Sequence, residues 1–157
     1  MIDFNGYITD EAEKFFIKNS RKMAVTIFLV IFLLLAPIFV LISVGTDYYE
    51  LLIGYVAACS LTIATAFIPQ SRKWKIAWMP KRIFTDEEYI VCQGNKYEEF
   101  HLIDDATRVI DYGAFYHICF PMGKKSDKFI CQKSLLSSGT FEEFEALFEG
   151  KIERRTK

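Results

Sequence analysis

Five side chains outside the longest apolar runs invite a metal or nucleophile reading: His101, His117, Cys92, Cys119 and Cys131. His117 and Cys119 are two residues apart, which on a strand puts a base and a thiol on one face. Zinc sites come with paired spacings such as CxxC or HxxxH, and neither occurs here. A cysteine nucleophile needs a base and a third group to orient it, and the pattern supplies no third group. Asp104-Asp105 reads as a turn. Glu142-Glu143 reads as a helix start, where the dipole favours acids without any chemistry. The eight glycines are scattered and build no phosphate loop. The residues therefore predict no catalytic centre, no metal, no cofactor and no enzymatic activity. An enzyme reading requires function to be lost when His117 or Cys119 is replaced.

The elements that would position such groups are organised around Ala24–Val44, an uncharged run long enough as a helix to cross the hydrocarbon core of a bilayer. A second run, Leu51–Ile68, contains Cys59. Together they predict a transmembrane hairpin over 23–69. Pro37 predicts a bend in the first span. The turn holds Asp47 and Glu50 but no base, with Tyr48 and Tyr49 suited to the headgroup layer. Gly54 and Ala58 have the small-xxx-small spacing of close helix packing, within the hairpin or in a homo-oligomer. Arg72, Lys73, Trp74, Lys75 and Trp78 have the composition of a membrane interface. Bases flank both outer ends of the hairpin, so the positive-inside rule predicts a multi-pass protein of the inner membrane with both termini cytoplasmic. A cytosolic setting keeps the three later thiols reduced.

Residues 1–22 read as an amphipathic helix, capped by Asp10 with Glu13, with Ala12, Phe15, Phe16 and Met23 on one stripe. A cleavable leader is not expected. Asp3, Asp10, Glu11 and Glu13 are foreign to one, and the apolar run is too long. The net charge of −1 carries no basic excess and argues against nucleic acid as a partner. The basic stretch with interleaved Trp at 72–82 is accounted for by its place after a span.

From Lys81 the pattern changes to short strands: Lys81–Thr85, Glu88–Gln93, Lys96–Leu102, Thr107–Tyr112, Phe115–Pro121 and Lys128–Gln132. All are expected antiparallel, with turns at Asp86-Glu87 and Gly94-Asn95. Thr140 and Glu143 form a capping box for a closing helix that carries Phe141, Phe144, Leu147 and Phe148, and Gly150 lies past its end. Lys151–Lys157 reads as a charged tail. The fold class is α+β: a transmembrane hairpin, then an antiparallel β domain over 73–150 closed by a helix.

Strands closed by one amphipathic helix resemble a pleckstrin-homology (PH) domain. The whole layout, through Tyr7–Lys22, the hairpin, Phe84–Cys92 and Phe129–Phe148, resembles the YcxB-like family of bacterial membrane proteins. That family often has a proline before the closing helix; Cys131–Leu136 has none. The resemblance implies a PH-like C-terminal domain and no settled activity. Lipid-binding PH domains use a basic first turn, whereas Thr85-Asp86-Glu87-Glu88 is acidic. Lys124, Lys125 and Lys128 form a different basic turn, a candidate contact with anionic lipid. The reading as a whole is a membrane-anchored, non-enzymatic binding or scaffolding module presenting a PH-like domain to a protein partner. An oligomerising structural protein and an anionic-lipid surface sensor are its alternatives.

Overall fold

The structure, a computed structural model, describes residues 1–46, 48–65, 68, 72–121 and 128–155, with the backbone alone at 46, 72 and 74. It is α+β, with one long apolar helix near the N-terminus and antiparallel and mixed sheets after it. The chain forms two compact units. One combines Met1–Ile17 with Gln70–Lys157; the other is Lys18–Pro69.

The discontinuous unit holds two sheets. The first contains β1 (Asp3–Asn5), β2 (Pro80–Asp86), β3 (Tyr89–Gly94), β4 (Glu98–Leu102) and β8 (Leu136–Ser138), in the order β4-β3-β2-β1-β8. The second contains β5 (Arg108–Asp111), β6 (Phe115–Cys119), β7 (Ile130–Gln132) and β9 (Ile152–Arg154), in the order β7-β6-β5-β9. Alternation explains the long strands. In β2 and β3, Ile83, Thr85, Ile90 and Cys92 are buried on one face. They meet Val109 and Ile118 of the second sheet, with Phe129 between strands.

Helix α4 (Phe141–Leu147) closes the core. Thr140 Oγ1 accepts from Glu143 N at 3.1 Å, and Glu143 Oε2 accepts from Thr140 N at 3.0 Å. This is the predicted capping box, satisfying two otherwise orphaned donors. Phe144 and Phe148 are fully buried, each stabilising the fold by about 2 kcal/mol through area removed from water.

Three features correct the expected layout. The first residues are not a helix: β1 lies hydrogen-bonded between β2 and β8. Ile2 and Phe4 are buried, and the Phe4 ring meets Phe144 edge-on at 5.4 Å. The tail is not merely charged: Ile152–Arg154 is β9, and it pairs with β5 in parallel, not antiparallel. Leu136–Ser138, between the last expected strand and the closing helix, is a further strand, β8. Strands of three residues are too short for a period of two to stand out.

Helix α1 (Asp10–Thr46) belongs to both units. Its first two turns dock on the sheets. Ala12 and Phe16 are buried, and the Phe15 ring lies 5.2 Å from Phe115 and 5.1 Å from Tyr112. Gln132 of β7 pins the helix start, accepting from Thr9 N at 2.8 Å and donating to Thr9 Oγ1 at 3.1 Å.

In the other unit α1 continues through Pro37 beside α2 (Tyr49–Thr65). Asp10–Gly45 is the one described helix long and apolar enough to cross a membrane; α2 is apolar too but has 17 residues. Tyr55 joins the pair: its hydroxyl donates to the Phe32 carbonyl at 2.6 Å, and its ring stacks at 4.2 Å on Phe39. Ser60 and Thr62 hydroxyls bond the carbonyls of Val56 and Ala58, at 2.9 and 2.8 Å, so these polar groups need no water. Leu33, Leu34 and Leu41 are each about 70% exposed.

Candidate functional site

The face of the first sheet turned away from the core is built by three strands in register. Phe84, Val91 and Phe100 lie side by side across β2, β3 and β4, as do Asp86, Tyr89 and Leu102. A third row holds Arg82, Gln93 and Glu98. Alternation forces these residues outward once Ile83, Ile90 and Cys92 have turned in. Phe100 is 66% exposed and Tyr89 43%, their rings edge to face at 6.1 Å. Leu102 is also exposed, while Phe84 and Val91 are half-buried. The result is a continuous apolar centre on a surface open to solvent.

Its rim is acidic. The two-residue turn Glu87-Glu88 joins β2 to β3, with Glu87 in the left-handed region at φ 46°. Asp86, Glu87, Glu88 and Glu98 are all exposed. The base in these rows, Arg82, is already engaged. It donates to both Asp3 carboxylate oxygens, at 2.7 to 3.1 Å, and lies 4.7 Å from the Phe84 ring centre. The Asp3 hydrogen bonds hold the Arg82 guanidinium above its ordinary pKa, against partial desolvation. The surface therefore offers aromatic and aliphatic contact inside a negative border. The sequence carried one signal for it. Tyr89-Ile90-Val91-Cys92 is unbroken apolar sequence, as in a strand covered on both faces, yet here one face is left open.

The predicted site residues are distributed differently. Lys128 is not a solvated turn lysine. It is 9% exposed, paired with Glu99 Oε1 at 2.7 Å and seated 3.7 Å over the Tyr97 ring, which removes it as a lipid contact. Lys124 and Lys125 lie outside the described residues. Of the interface set, all on α3 (Arg72–Trp78), Lys73 and Trp78 are exposed and Lys75 reaches Glu13 Oε1 at 3.4 Å. The side chains of Arg72 and Trp74 are outside the described set. Gly54 and Ala58 are exposed, and a Cβ at Gly54 would meet nothing within 4 Å. The contact between α1 and α2 runs through Tyr55 instead.

The structure does bring His117 and Cys119 together, with Sγ 3.7 Å from Nδ1. The pair stands on the outer face of the second sheet. His117 is 7% exposed, and its ring lies 5.0 Å from Phe15. Cys92 and Cys131 are fully buried in the core, and burial, then the neighbouring Cys92, pushes the Cys131 thiol well up, which keeps it protonated. Among the described residues no three His, Cys, Asp or Glu side chains gather to hold a metal. Comparison with protein-family models, with curated proteins and with solved structures finds no match to this chain.

Proposed function

We propose that this chain is a two-pass membrane protein that holds a PH-like domain on the side of the membrane bearing its flanking bases. We further propose that the domain acts as a non-enzymatic binding module for a protein partner. One observation carries the membrane part: β1 precedes the apolar helices, β2 and β8 follow them, and the three are hydrogen-bonded neighbours in one sheet. A chain whose two flanks fold together must return to the side it left. Its crossings are then even in number, so if α1 crosses, α2 crosses with it. At 1.5 Å per residue α2 spans about 25 Å, at the short end of what a bilayer accepts. Leu33, Leu34 and Leu41 then face hydrocarbon instead of water. The base-rich flanks at Lys14–Lys22 and 72–82 support a cytoplasmic side for the domain by the positive-inside rule.

Binding is supported by the open face around Phe100. PH-like architecture is supported by two meanders, β2-β3-β4 and β5-β6-β7, closed by α4. The test is a reporter pair, one fused at each end. Both ends should report the cytoplasm, and the protein should stay in membranes washed with high salt. Reporters on opposite sides, or release without detergent, would refute the reading. Oligomerisation through Gly54 is a second reading, favoured by the open space above it. Gly54→Leu would then change the particle size in detergent.

A further inference from the structure

We propose that the outer face of β2, β3 and β4 binds a basic, apolar segment of a protein partner, with Phe100 at the centre of the contact. The proposal rests on the binding-module reading and specifies the chemistry of the partner. Phe84, Tyr89, Val91, Phe100 and Leu102 form one apolar surface in cross-strand register. Three strands and three rows measure about 10 Å by about 14 Å from strand spacing and rise. That is far below the area a globular partner covers, about 800 Å² a side, and suits a single segment. Strand β4 ends its sheet, so an extended segment also has an edge to pair with.

Charge selects among occupants. Asp86, Glu87, Glu88 and Glu98 border the surface, and Arg82 is held by Asp3. An anionic lipid surface would be repelled by that border. A second copy docked face to face would set the same acids against each other. A segment with Lys or Arg among apolar residues satisfies centre and border together.

The test places a photo-crosslinking aromatic at the surface of the full chain in living cells, as Phe100→p-benzoylphenylalanine, with Glu142 on α4 as the control position. The joined peptide is then sequenced by mass spectrometry. Position 100 should capture a protein segment rich in Lys or Arg among apolar residues, and position 142 should not. Capture should fall about ten-fold in a background carrying Glu88→Lys and Glu98→Lys, as charge-steered encounter requires. Both substitutions are at exposed positions, and an unchanged melting curve confirms that they leave the fold intact. Phe100→Ser should likewise release the partner identified by the crosslink. An absent crosslink, a crosslink to lipid or to a second copy, an acidic segment, or undiminished capture by the charge-reversed chain would each overturn the proposal. Fractionation of the same cells reads the anchoring separately: release into the soluble fraction refutes membrane attachment without altering what position 100 captures.

Discussion

Lys128 shows how much a single environment changes a residue's role. As sequence it belongs to a basic turn; in the fold its ammonium lies between Glu99 and the Tyr97 ring. Side-chain exposures of 11% and 17% make this a largely desolvated pair. Removing one partner of such a pair strands the other's charge. Lys128→Ala should therefore destabilise the domain by about 3 kcal/mol, read as a shifted unfolding midpoint in detergent. Tyr116 gives a pH signature. It is 1% exposed, its hydroxyl donates to Glu145 Oε1 at 2.8 Å, and burial followed by that carboxylate raises its pKa well above 10.0. The folded state thus holds this proton more tightly than the unfolded one. The stability it contributes is complete below about pH 10 and is lost as pH rises toward the folded pKa. Tyr116→Phe should flatten the alkaline limb of a stability-versus-pH curve. It should also cost about 1 kcal/mol at neutral pH for the lost hydrogen bond.

At the scale of elements, β1 is three residues long yet has sheet neighbours on both sides. Phe4 is 3% exposed and contacts Phe144, so it links the first strand to the closing helix. Phe4→Ala should cost about 3 to 4 kcal/mol through lost burial and the cavity left behind, measured by denaturant unfolding followed by circular dichroism. The protein should remain in the membrane fraction, because the apolar helices are untouched. Thr140→Ala removes the cap of a seven-residue helix and should cost about 1 kcal/mol in the same assay. Strands β2 to β4 were legible because alternation runs for several positions, as in Ile83, Thr85 and then Ile90, Cys92, while β5 to β7, mostly buried, were legible as short apolar runs between turn residues. Strands β1, β8 and β9 were not. Each has three residues, and each owes its existence to a neighbour distant in sequence.

For the whole molecule, the consequence is one of connectivity. The unit holding both sheets includes the first residues and the last, and the apolar helices interrupt it. The residues ahead of the apolar run supply Ile2, Phe4, Ile8, Ala12 and Phe16 to the buried clusters of that unit. Deletion of residues 1–8 should therefore lower the unfolding midpoint of the whole unit, read by circular dichroism in detergent.

Composition and period alone determined that two uncharged runs are followed by strand-rich sequence, that bases flank those runs, and that Thr140 and Glu143 start the last helix. These are local properties, written in neighbouring residues. Tertiary structure decided the rest: that Asp3–Asn5 inserts between β2 and β8, that Lys128 is buried, and that Phe100 and Tyr89 form an open surface. Each depends on pairing between segments far apart in sequence, where the gain comes from area buried jointly and no single segment records it.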